Sequence, residues 1–196
     1  MDNRLYDLGK MDKKLKKYID EGRYIHTQGV MHTCACLAMV HEEDLLTAQV
    51  AGLLHDCAKC MTHEERLLLC EKYEVEVTPS ELENKALLHA KAGAILAKTV
   101  YDVEDIEILH AIAVHTTGEQ DMSMLDKIIY IADYIEPGRD KAPNLEYVRK
   151  LAYQDLDACM AKILDDTLEY LQNRGGLIDP TTAKAQEYYQ QYRKEF

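Results

Sequence analysis

An all-α fold is expected for this chain on three observations. Apolar residues recur at i, i+4, i+7 and i+8 along most of the sequence, which lines one face of a helix, while strand-type alternation is scarce. Only four prolines and nine glycines interrupt the 196 residues. Helix-starting signals stand ahead of several of the apolar stripes. Together these predict about eight to ten helices in one domain.

Val30, Cys34, Leu37 and Ala38 form the first long stripe, and Val50, Leu53, Leu54 and Cys57 the second. Thr62-x-x-Glu65 and Thr78-Pro79-Ser80-Glu81 read as capping boxes. Pro79 would take the first helical position, where a missing N–H costs no hydrogen bond. Asp102-x-x-Asp105 would start a helix carrying Ile108, Ile112 and His115. Ser123-x-x-Asp126 would start another, carrying Leu125, Ile129 and Asp133. Pro137-Gly138 and Ala142-Pro143-Asn144 break the chain after it. Leu145, Val148, Leu151 and Ala152 open a long helix expected to run past Leu171, with Arg174-Gly175-Gly176 as its stop.

Composition narrows the function. With 47% hydrophobic and 30% charged residues the chain can bury a core, so disorder is a poor reading. A net charge of −12 argues against a surface for duplex nucleic acid, which needs clustered cations. Any phosphorylated ligand must then be met by local positive charge, from a metal or a few Lys and Arg. No apolar run approaches the ~20 residues of a membrane span. Met1-Asp2-Asn3-Arg4 lacks the apolar stretch of a signal peptide, so a cytoplasmic location is expected. Cys34, Cys36, Cys57, Cys60, Cys70 and Cys159 are then expected to be reduced thiols. Cys57-x-x-Cys60 has no second pair with which to complete a zinc site.

The histidines carry the chemistry. His26, the adjacent pair His55-Asp56, His89, His115 and Asp133 are each separated by about one helical hairpin. Each ligand can therefore come from a different helix and point at a common interior point. Imidazole and carboxylate donors suit Fe, Mn, Co, Ni or Zn, and six of them suffice for one ion or for two sharing a carboxylate. Asp133 falls on the stripe of Leu125 and Ile129, so its helix would bury a carboxylate, at a cost of several kcal/mol unless a metal or cation answers it. His115 lies on the Ile108–Ile112 stripe in the same way. His55 and Asp56 stand about 100° apart on a helix and can share one ion where the helix end faces it. A single His on an apolar face is usually just a hydrogen-bonded core residue. His32, His41, His63 and His110 fit that description; His32 lies roughly 240° around the helix from His26.

The order H, HD, H, H, D in a helical chain resembles the HD-domain metal-dependent phosphohydrolases. A narrower resemblance, from about Arg23 to Tyr189, is to the YqeK-type family, the bacterial symmetrical diadenosine tetraphosphate hydrolases. It rests on Arg23-Tyr24-Ile25-His26, on Ala51-Gly52-Leu53-Leu54-His55-Asp56-Cys57-Ala58-Lys59 and on His115-Thr116-Thr117-Gly118. The last continues into the block from Met122 through Asp133-Tyr134-Ile135-Glu136-Pro137 to Arg139, which is long and specific.

The resemblance implies one domain over 1–196, a metal-binding core over about 23–140 and C-terminal helices over 144–195. It implies His26, His55, Asp56 and Asp133 as core ligands for iron, with His89 and His115 facing the nucleotide phosphates and available to a second ion. Gly29, Lys59, Thr116, Asp133 and Arg139 match positions near the nucleotide. So do Ile178, Pro180 and Thr181 in the strip Leu177–Thr182, where this chain has Asp179 in place of the family's frequent His. The implied reaction is hydrolysis at the middle of a dinucleoside tetraphosphate, releasing two nucleoside diphosphates. Asp56 is the candidate bridging ligand, and Lys59 and Arg139 the candidates for neutralising phosphate charge. The residues themselves leave other readings open: a different HD phosphohydrolase acting on nucleoside monophosphates, dNTPs or cyclic dinucleotides, or a nucleotide-binding regulator with weak catalysis. They also leave open which metal is bound and whether the chain forms a homodimer.

Overall fold

The computed structural model describes residues 6–175 and 177–194. Among them are eleven α-helices, a short 3-10 turn at Gln190–Tyr192 and no strand. The helices are α1 (Leu8–Leu15), α2 (Glu21–Val40), α3 (Leu45–Leu54), α4 (His63–Lys72), α5 (Pro79–Glu83) and α6 (His89–Val100). They continue with α7 (Ile106–Val114), α8 (Met124–Ile135), α9 (Leu145–Ala152), α10 (Leu156–Asn173) and α11 (Pro180–Tyr189).

Local chemistry sets the starts. The side chains of Asp7, Asp20, Asp44, Asp105, Asp155 and Asp179 each accept a backbone N–H at the head of a helix, so part of the acidic excess is capping. Each such cap stabilises by about 1 kcal/mol. Thr62, Thr78 and Ser123 form complete capping boxes with Glu65, Glu81 and Asp126.

Two expectations about boundaries need correction. The helix opened by Leu145 does not run on past Leu171: it stops at Ala152, and Asp155, capping Ala158 N, starts a separate α10. That division, with the five-residue α5, brings the helix count above the expected range. Asp102 does not cap α7. It adopts the left-handed backbone conformation at φ 57°, and Asp105 caps instead by accepting from Glu107 N. The stop after α10 is seen at Arg174 and Gly175, where Gly175 takes φ 66°; Gly176 lies outside the described residues.

Helix α8 runs through the centre of the molecule. It packs on α2, α3, α7 and α10, and Ile128, Ile129 and Ile131 are fully buried around it. Each such side chain contributes roughly 1.5–3 kcal/mol relative to its exposed state. A continuous apolar cluster joins α8 to Val30 and Leu37 of α2, Leu53 and Leu54 of α3, Ile108 and Ile112 of α7 and Met160 and Leu164 of α10. A smaller cluster of Cys70, Leu88 and Ile95 holds α4 against α6. No helix among the described residues is long and apolar enough to cross a membrane. This packing aims the C-terminal ends of α3 and α7, the first residue of α6 and one face each of α2 and α8 at a single point.

Candidate metal centre and cleft

Four imidazoles meet at that point. His26 comes from α2, His55 and His115 terminate α3 and α7, and His89 opens α6. Three of them are held by one local device. The Nδ1–H of His55 donates to Gly52 O at 2.7 Å, that of His115 to Ile112 O at 2.7 Å, and that of His89 to Ala86 O. In each case the acceptor is the carbonyl three residues back. A carbonyl can only accept, so this contact assigns the proton to Nδ1 and leaves Nε2 with a lone pair directed at the centre; in His89 that lone pair accepts from Lys59 Nζ at 3.1 Å. His26 differs, because its Nδ1 lies 3.0 Å from the Glu136 carboxylate.

Two carboxylates complete the cluster. Asp56 Oδ1 lies 2.9 Å from His89 Nε2 and 3.7 Å from His115 Nε2, and its Oδ2 lies 3.4 Å from His55 Nε2. Asp133 Oδ1 lies 3.0 Å from His26 Nε2 and 4.0 Å from His55 Nε2. His89 Nε2 and His115 Nε2 approach to 3.1 Å. Close approach is not the same as hydrogen bonding here. The buried atoms His26 Nε2, His55 Nε2 and Asp56 Oδ1 have no hydrogen-bond partner despite these neighbours. Buried polar atoms are almost always paired, and leaving one unpaired costs about 1–3 kcal/mol.

Lone pairs facing lone pairs about 3 Å apart are what donors around a cation with ~2.1 Å bonds look like. The donors form three overlapping groups that could hold a metal ion: His26, His55 and Asp56; His55, His115 and Asp133; and Asp56, His89 and His115. The residues therefore fit a metal of the kind the donor set selects.

Charge is balanced locally within an acidic molecule. Arg23 Nη1 sits 2.6 Å from Asp56 Oδ2, and Lys59 Nζ sits 3.6 Å from Oδ1. Arg139 grips Asp133 twice, through its carboxylate at 2.6 Å and its backbone carbonyl at 2.8 Å. Burial alone would raise both carboxylate pKa values. The imidazoles of His55, His115 and His89 outweigh it for Asp56, as do His26, His55 and Arg139 for Asp133, and both carboxyls are held well below the usual range. Burial lowers the Lys59 ammonium and pushes His89 down to about 4.

The cluster forms one end of a cleft of about 780 Å³. His26, His89, His115, Thr116 and Asp133 line the cleft, together with Arg23, Lys59, Arg139, Lys141, Tyr134, Thr167 and Tyr170. The volume suits a ligand larger than a single phosphate.

The structure thus brings together His26, His55, Asp56, Lys59, His89, His115, Thr116, Asp133 and Arg139. Asp133 is less enclosed than its stripe implied: its side chain is 25% exposed, because it opens onto the cleft. Gly29 does not line the cleft; it lies under the Glu136 carboxylate. Ile178, Pro180 and Thr181 do not line it either. There Asp179 is buried as the cap of α11, accepting from Thr181 N, which gives the residue at this departure from the family pattern a structural role. Of the other histidines, His32 is exposed and His41 bonds Ala152 O. His110 stands between Glu119 and Asp126 with a nitrogen toward each carboxylate. Among the site residues that received no role from the sequence are Arg23 and Glu136. Each lies three positions from a ligand on the same helix face, Arg23 before His26 and Glu136 after Asp133, and that spacing was the signal that could have found them.

Known proteins agree with this arrangement. Residues 23–138 match the HD domain family model. The chain is 38% identical over 170 residues to the symmetrical bis(5'-nucleosyl)-tetraphosphatase of Bacillus subtilis, covering 86% of this chain and 89% of that protein. It is likewise 38% identical over 175 residues to the protein of that name from Halalkalibacterium halodurans, covering 89% and 92%. A crystal structure from Clostridium acetobutylicum, described as a predicted HD superfamily hydrolase involved in NAD metabolism, superposes with a TM-score of 0.91 at 39% identity, covering 96% of this chain and all of that one. By its domain match, its relatives and its fold, the chain belongs to the HD-domain family, among the symmetrical bis(5'-nucleosyl)-tetraphosphatases.

Proposed function

We propose that this chain hydrolyses diadenosine tetraphosphate and related dinucleoside polyphosphates at the central anhydride, releasing two nucleoside diphosphates. The observation that carries the reading is the cleft itself, in which a cluster of metal-ligating His and Asp lies among four cations of an otherwise acidic protein. The names of its relatives support the same substrate.

His26, His55, Asp56 and Asp133 would hold the first ion, and His89 and His115, sharing Asp56, a second. Nitrogen and oxygen donors in this proportion accept Fe, Mn, Co, Ni or Zn, and iron is the proposed resident. When bound, such an ion lowers the pKa of a coordinated water toward about 7 and polarises a phosphoryl oxygen. The chain's own groups do the rest. Lys59, Arg139 and Arg23 meet the phosphate oxygens and stabilise the charge that spreads over them in the transition state. Arg139 can bind two oxygens at once, and its contacts to Asp133 keep it aimed at the ligand end of the cleft. Thr116 lies where a phosphate or ribose can reach it. The departing nucleoside diphosphate ends in a phosphate whose second pKa is about 6–7, so it leaves without a dedicated proton donor. A nucleotide substrate and six unpaired cysteines both suit the cytoplasm.

The test is a nucleotide panel on metal-loaded protein with the products identified. Diadenosine tetraphosphate should yield ADP alone. AMP plus ATP would overturn symmetrical cleavage, and preferred turnover of dNTPs, nucleoside monophosphates or cyclic dinucleotides would replace the substrate.

A further inference from the structure

Glu136 is buried at the C-terminal end of α8, and among the described residues it is the one carboxylate that faces the outer nitrogen of a cluster histidine. The surrounding chain is shaped around it. A Cβ built at Gly29 would lie 2.5 Å from Glu136 Oε2, and one at Gly138 would lie 3.0 Å from both carboxylate oxygens. Gly138 N donates to Oε2, leaving Oε1 for His26. Arg149 of α9 donates to the backbone carbonyls of Ile135, Glu136 and Arg139 at 2.8–3.0 Å, which pins the segment that carries the carboxylate.

We infer that Glu136 is a positioning residue that fixes the ring and tautomer of His26, and that Gly29 and Gly138 are glycines because the carboxylate needs their space. The inference rests on reading the cluster as a metal centre. The other three cluster imidazoles donate to neutral carbonyls, so His26 alone has an anion behind it. That anion keeps the proton on Nδ1 and leaves Nε2 as a lone pair facing the cluster. Gly29, which matched a nucleotide-contact position in the family pattern, acts instead through Glu136.

The experiment is a Co2+ titration of the metal-stripped full chain, followed by visible absorption, with far-UV circular dichroism to confirm the helices. Glu136→Gln and Glu136→Ala should each bind Co2+ about 10–100-fold more weakly than the parent while remaining helical. Gly29→Ala should weaken binding in the parent, because its methyl displaces the carboxylate, and should add no further loss in a Glu136→Ala background, where the methyl has room. Helical Glu136 variants binding within about twofold of the parent would overturn the positioning role. An equal loss from Gly29→Ala in both backgrounds would overturn the role given to the glycine. A parent chain that takes up no Co2+ would remove the metal centre itself. Cobalt uptake that depends on Glu136, in a chain that leaves dinucleoside tetraphosphates intact, would support this assignment and reject only the substrate.

Discussion

Asp56→Asn takes one negative charge from the middle of the cluster and changes almost no volume. The carboxylate is 3% exposed, with Arg23 at 2.6 Å and Lys59 at 3.6 Å, whose side chains are 28% and 31% exposed. Removing one partner of a buried ion pair costs about 3–5 kcal/mol, since the other charge is left without an answer. Both cations still reach water through the cleft, so we expect less than that, about 2–3 kcal/mol. Relief of repulsion from Asp133 offsets little, because Arg139 already neutralises that carboxylate at 2.6 Å. For a domain of this size each kcal/mol moves the thermal midpoint by about 2–4 °C, so the metal-free variant should melt about 4–12 °C below the parent. The assay is thermal unfolding in chelator of the parent, Asp56→Asn, Arg23→Met and the double variant. The two substitutions should couple by about 1 kcal/mol or more. The pH dependence has a definite sign. Asp56 titrates well below its ordinary 3.8, so its contribution is complete above that value and is lost as the pH falls through the folded pKa. An unchanged or higher midpoint in Asp56→Asn, or strictly additive effects, would refute the reasoning.

The remaining predictions concern thiols, imidazoles and one cap. In the folded protein a thiol reagent should label Cys36 and Cys60, which are exposed, and reach Cys34, Cys57, Cys70 and Cys159 only on unfolding. Burial, then the neighbouring Asp56, pushes the Cys57 thiol far up, so labelling of Cys57 at the rate of Cys60 would contradict the packing. By NMR of metal-free protein, His89 should titrate at about 4 and His55 above 6.5, since Asp56 and Asp133 outweigh the burial of His55. By linkage His55 then contributes stability that is lost as the pH rises through its folded pKa, whereas the His89 contribution is lost as the pH falls from 6.5 toward 4. Two rings titrating together near 6.5 would contradict this. Asp155→Ala removes the cap on Ala158 N and should lower the midpoint by about 2–4 °C; no change would mean that packing alone starts α10.

Some of this was readable one residue at a time. Apolar spacing marked α2, α3, α7 and α8, because a helix must turn one face to the core whatever it packs on. The pairs Thr62/Glu65, Thr78/Glu81 and Ser123/Asp126 announced their own boxes, since capping involves only neighbours in the chain. The break at Tyr153–Asp155 was hidden because the apolar pattern continues across it, and Asp155 can cap only where packing lets the chain turn.

The cluster divides in the same way. That His26, His55, Asp56, His89, His115 and Asp133 are ligand-type residues on separate helices is a property of the linear chain. That their donor atoms meet within about 3–4 Å, with His26 Nε2, His55 Nε2 and Asp56 Oδ1 left without a hydrogen bond, depends on how α2, α3, α6, α7 and α8 pack. The contacts Arg23–Asp56, Glu136–His26 and Gly29–Glu136 join residues far apart in sequence. Local propensity is blind to such pairs, because nothing in either segment alone pays the cost of burying a charge; only the assembled core places the partner beside it.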